Sequence, residues 1–246
     1  MSELTAGGWG LVAGAALLLG AAAGYFAPFP KRLIAAFMAF GSGALISAVS
    51  FELMAEAYRR GSFVAVSTGF LLGAGAFTLA NLAINARGGL HRKRSQGQQA
   101  EGNAKAIFVG ALLDGVPESA AIGISLFEGG AVSLVTVAAV FLSNLPEGLS
   151  AAAGMKKAGH GPGYVFGLWG SAALVMGIAA ALGFALLGGG SPELIAAALA
   201  VAAGAILAML ADTMMPEAFE EAGNFVGIVT VLGFLAAFYL SVGIDR

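Results

Sequence analysis

Eight long apolar runs, at about 9–27, 33–57, 63–85, 106–127, 131–154, 163–188, 192–218 and 224–244, fill almost the whole chain. Each is close to the roughly 20 residues that an α-helix needs to cross the hydrocarbon of a bilayer. The runs are continuously apolar, whereas the strands of a membrane β-barrel alternate. The pattern therefore predicts an all-α polytopic membrane protein with eight transmembrane helices. A single transmembrane domain covers 1–246, with its longest polar loop at about 86–105.

Composition supports this class: 59% of residues are hydrophobic and only 11% charged. There is no cysteine, which excludes disulfides and thiolate metal ligands. A net charge of −2 without a basic face argues against nucleic acid as a partner. No Lys or Arg precedes Lys31, so the first run is expected to be a retained helix rather than a signal peptide.

The basic residues all fall in loops or at ends, and they are unevenly shared. Lys31, Arg32, Arg87, Arg92, Lys93, Arg94, Lys105, Lys156 and Lys157 lie on one side, against Arg59, Arg60 and Arg246 on the other. The positive-inside rule then predicts that both termini are outside. A bacterial inner (plasma) membrane is the expected location. His91 and His160 sit in loops and read as ordinary loop histidines rather than as residues that ferry a ligand.

The first and last three runs resemble each other. In one fixed register "GALI" (43–46) aligns with "GAIL" (204–207), "MAEAY" (54–58) with "MPEAF" (215–219), and "AFTL" (76–79) with "AFYL" (237–240). The second and seventh helices must run in opposite directions, so the halves are inverted copies with helices four and five between them, a 3+2+3 inverted-repeat arrangement. Inverted repeats are characteristic of transporters that bind substrate near the membrane midplane.

Seven acidic residues fall within the spans: Glu52, Glu56, Asp114, Glu118, Glu147, Asp212 and Glu217. A charge at the bilayer centre costs at least about 2.5–3.5 kcal/mol. No Lys or Arg lies at comparable depth along the sequence, so a bound cation or protons are expected to compensate them. Asp114 and Glu118 are four apart and share one helix face, as do Ser143 and Glu147 on the next helix, with Asn144 beside Ser143. Pro117, Pro146 and Pro216 each precede a glutamate. A mid-helix proline deprives the carbonyl one turn back of its partner, here those of Leu113, Leu142 and Asp212, which are expected to aim at the same region. Glu52 and Glu56 approach a helix end beside Arg59 and Arg60 and read as interfacial pairing or an access vestibule. Asp212 and Glu217 read as an exit vestibule or a wet helix end. Met214 and Met215 read as packing residues.

With these residues on the page, the chain resembles the ZIP (Zrt/Irt-like) family of divalent-metal transporters over nearly its whole length. The most specific likeness is the Pro-Glu pair of helices four and five, in "DGVPES" (114–119) and "SNLPEG" (143–148). In the family these helices supply a binuclear metal site and usually carry histidine. The resemblance places Asp114 at the histidine position, Gly115 at an asparagine position, Glu118 and Glu147 at the shared glutamates, and Ser143 and Asn144 at the early ligand positions of helix five. This sequence departs from that pattern: no histidine lies in any span, Gly115 has no side chain, and helix six carries no carboxylate. One metal site made by Asp114, Glu118, Ser143 and Glu147, with Asn144 contributing, is therefore expected rather than two.

The expected function is inward transport of a divalent transition-metal cation across the lipid bilayer. The metal is the substrate and no resident cofactor is implied. The resemblance implies zinc, while oxygen-only ligation brings in Mn²⁺, Fe²⁺ or even Mg²⁺. A homodimer stays open. An enzyme is not expected, because the chain has no His-Glu-x-x-His or Gly-x-Ser-x-Gly motif and no histidine within a span to act as a base. The alternative is a transport-inactive relative that senses metal or scaffolds a complex.

Overall fold

The computed structural model describes residues 2–90, 93, 104–126, 134–187 and 190–244. Among them the regular structure is entirely helical, in eight segments long and apolar enough to span a membrane. These are α1 (Glu3–Phe26), α2 (Lys31–Arg60), α3 (Phe63–Gly89), α4 (Ala104–Ser125), α5 (Leu134–Lys157), α6 (Pro162–Leu187), α7 (Pro192–Ala222) and α8 (Phe225–Ile244). The chain is an integral membrane protein of the all-α polytopic class.

Helix ends differ from the apolar runs where polar chemistry extends a helix beyond the hydrocarbon. The Ser2 hydroxyl accepts from the Thr5 amide and starts α1 well before the first apolar residues gather. Ser62 and Ser191 cap α3 and α7 in the same way, accepting from Ala65 N at 3.2 Å and Leu194 N at 3.3 Å. At the other ends, α2 runs on through Arg59 and Arg60 and α5 through Lys156 and Lys157, side chains that can reach into water.

The inverted repeat is visible in the packing. α3 packs on α7 as α8 packs on α2, α1 on α5 as α6 on α4, and α2 on α5 as α7 on α4. α3 and α8 are peripheral, with 22% and 17% of their apolar windows buried, against 67%, 61% and 61% for α2, α4 and α7 and 72% for α5. The four inner helices thus enclose the centre. Leu71, Leu79, Leu235 and Tyr239 on the outer helices point out of the bundle, where lipid replaces water as the solvent.

Glycines let these helices approach closely. A methyl group on Gly43 of α2 would run into the Thr230 carbonyl of α8, and one on Gly204 of α7 into the Phe70 carbonyl of α3. Gly43 and Gly204 are equivalent in the repeat. Gly20 and Gly148 interlock α1 and α5 against the Leu145 and Leu17 carbonyls. Small residues at contacts of this kind bring backbones together where no hydrophobic effect can.

The repeat also preserves an irregularity. α2 widens into a π-helical stretch at Val49–Met54, and α7 does so at Leu210–Met214, the matching place in the second copy. Such turns are rare and concentrate at functional sites. Pro216 directly follows the π stretch, within the continuous helix α7.

Candidate cation site between α4 and α5

Pro117 and Pro146 lie within continuous helices, so neither helix is interrupted. The Leu142 carbonyl released by Pro146 lies against Gly41 of α2, an approach that a Cβ would block. The expectation that this carbonyl would serve the acidic cluster gives way to a helix–helix contact.

The acidic side chains do converge. Asp114 and Glu118 of α4 are each 2% exposed and Glu147 of α5 is 5% exposed. Ser143 Oγ stands 3.3 Å from Glu118 Oε1 and 2.9 Å from the Val140 carbonyl, and can donate to one at a time. Glu118 is within electrostatic reach of Glu147, Lys93 and Asp114. Asp114, Glu118, Ser143 and Glu147 therefore form one buried polar cluster bridging two helices.

Asn144 turns its amide nitrogen away from the cluster. Its amide nitrogen donates to the Ala13 carbonyl of α1 at 3.1 Å and lies 4.0 Å from Met176 Sδ of α6. It braces α5 against its neighbours. Beside it, a side chain on Gly115 would meet Met176 Sδ at 3.0 Å. The space next to the cluster is filled by a thioether from α6, which accounts for the missing side chain at 115.

The charge compensation differs from the expectation. Lys93, assigned by its sequence context to the polar loop, is 1% exposed and places its ammonium in the cluster. Its Nζ is 3.2 Å from Asp114 Oδ2 and 3.3 Å from Glu147 Oε2. A lysine thus lies at the depth of the carboxylates, contrary to the reading that none does. Gly88, with φ 96° and ψ 18°, turns the chain at the end of α3. Ser150, one turn along α5 from Glu147, donates to the Lys93 carbonyl. Among the described residues no three His, Cys, Asp or Glu side chains gather in a metal-holding arrangement; the carboxylates are set around an ammonium instead.

The other acids separate into three settings. Glu56 is paired with Arg59 and Arg60, so the pairing reading holds for it. Glu52 accepts from Ser241 of α8, and Asp212, on the outside of the bundle, from Thr78 of α3 at 3.3 Å. Glu217 lies beside Lys93 of the cluster, in a narrow cleft lined also by Lys31, Ser150 and Glu221. Met214 is fully buried, as a packing residue should be. His160 stacks on Tyr164 at 4.6 Å, and its carbonyl accepts from Tyr25 at 3.2 Å. His91 lies outside the described residues.

Lys93, Ser150 and Met176 were not anticipated. Ser150 had a signal, since Ser143, Glu147 and Ser150 form a polar stripe at i, i+4 and i+7. Lys93 had none: it is one cation in the basic run "HRKR" (91–94). Set against models of known protein families the chain matches none, and no curated protein matches it.

Proposed function

We propose that the protein is a transporter, not an enzyme, and that it moves a divalent transition-metal cation across the membrane through the cluster between α4 and α5. The observation that carries this reading is a buried carboxylate pair, Asp114 and Glu147, from two different helices, closed around a positive charge in the middle of an apolar bundle. Carboxylate oxygens suit Mn²⁺ and Fe²⁺ and also bind Zn²⁺, the ion that the likeness to the ZIP family favours. Two inverted halves meeting at such a site fit alternating access by rigid motion of one set of helices against another. In this reading Glu217 and Glu221 line the route on the side of Lys31 and Lys156. That side is the cytoplasmic face of a bacterial inner membrane, with both termini outside.

Uptake of Mn²⁺ and Zn²⁺ into proteoliposomes tests it. Glu118→Gln and Glu147→Gln should each bring uptake near background while the protein still inserts; normal uptake by both variants would sink the site assignment. The second reading, a transport-inactive sensor or scaffold, draws support from Lys93, because an ammonium compensates the carboxylates without any metal. Correctly inserted protein that takes up neither ion would establish that alternative.

A further inference from the structure

We infer that Lys93 is a tethered competitor for the cation: its ammonium occupies the place between Asp114 and Glu147, and a divalent ion enters the site by displacing it. The inference rests on the transport reading above and deepens it.

Three observations combine. First, the ammonium contacts one carboxylate from each helix, at 3.2 and 3.3 Å, so it bridges α4 and α5 as a metal ion would. A divalent ion in direct contact, at about 2.0–2.6 Å, brings twice the charge closer to the same oxygens. Second, lysine is a compact point charge on a flexible stem, and Ser150 holds its backbone beside the cluster. The side chain can therefore leave while its anchor stays. Third, a destination exists. The cleft at Lys93 is lined by Glu217 and Glu221 and has about 10 Å³ of free space, roughly one water. An ammonium that swings out of the cluster meets carboxylates there rather than lipid.

A lysine kept only as a structural counter-ion would remain in place when metal binds. A competitor must move, and it must raise the apparent dissociation constant of the metal by the inverse of the fraction of time its place is vacant. Mn²⁺ serves as the probe, with the full chain in lipid nanodiscs. Amine acetylation resolved by mass spectrometry should show Lys93 modified about tenfold faster at saturating Mn²⁺, with exposed Lys157 unchanged as the control. Lys93→Gln should tighten Mn²⁺ binding by a similar factor. If that variant does not fold, labelling of the unaltered chain decides alone. Mn²⁺ that binds and is transported without changing Lys93 labelling would overturn the inference and leave the transport reading intact. Binding by Lys93→Gln but not by the unaltered chain would support the inference outright. Binding by neither would overturn both.

Discussion

The two copies of one motif, "MAEAYRR" (54–60) in α2 and "MPEAFEE" (215–221) in α7, share a backbone and differ in charge. Each follows or closes a π-helical stretch, and each turns its aromatic residue, Tyr58 or Phe219, out of the bundle. Then they part. Glu56 is held by Arg59 and Arg60 from its own helix, and that end is closed by local ion pairs. At the equivalent positions α7 carries Glu220 and Glu221. Glu217 there lines a cleft whose cations, Lys31 and Lys93, come from other parts of the chain. One end neutralises itself; the other recruits its positive charge from a distance. Symmetry governs the scaffold, and departure from symmetry makes the two ends of the molecule different.

The largest expected effect probes the shared scaffold. Gly43→Ala and Gly204→Ala each push a methyl group into a backbone carbonyl of a neighbouring helix. Each should destabilise the fold by about 1–3 kcal/mol or more, as overpacking does, read as a fall in the unfolding temperature in detergent. Tolerance of one but not the other would break the equivalence of the halves. Next comes the charge difference. Glu220→Arg combined with Glu221→Arg rewrites the α7 motif as a copy of the α2 motif. Uptake should drop about tenfold, the low end of what focusing by a charged cleft contributes, with little change in stability. Unchanged uptake would mean that the cleft beside Lys93 is not the route. The smallest effect is at the self-neutralised end. Arg59 is 71% exposed and Arg60 remains to pair Glu56, so Arg59→Gln should shift stability by less than about 1 kcal/mol and leave uptake unaltered. A large loss of uptake would show that this end too is a passage.

How much of this was readable from residues alone depends on the range of the interaction that fixes each feature. Apolar runs register the thickness of the bilayer, so all eight spans followed from local sequence. The clustering of Asp114, Glu118, Ser143 and Glu147 followed from i, i+4 spacing on two neighbouring helices. The π stretches left no local mark, because neither "VSFELM" nor "LADTM" contains a residue that demands one. The Asn144 amide nitrogen turns to the Ala13 carbonyl of α1 and Met176 of α6, contacts that no window of sequence contains. Lys93 was hidden most completely. Its neighbours Arg92 and Arg94 make the segment look uniformly polar, and the partners that bury it come from α4 and α5, beyond the reach of any local pattern.

The matched π stretches also bear on ancestry. Two helices carry a rare irregularity at one register, one in each copy of the repeat, as duplication of a single distorted unit would leave them.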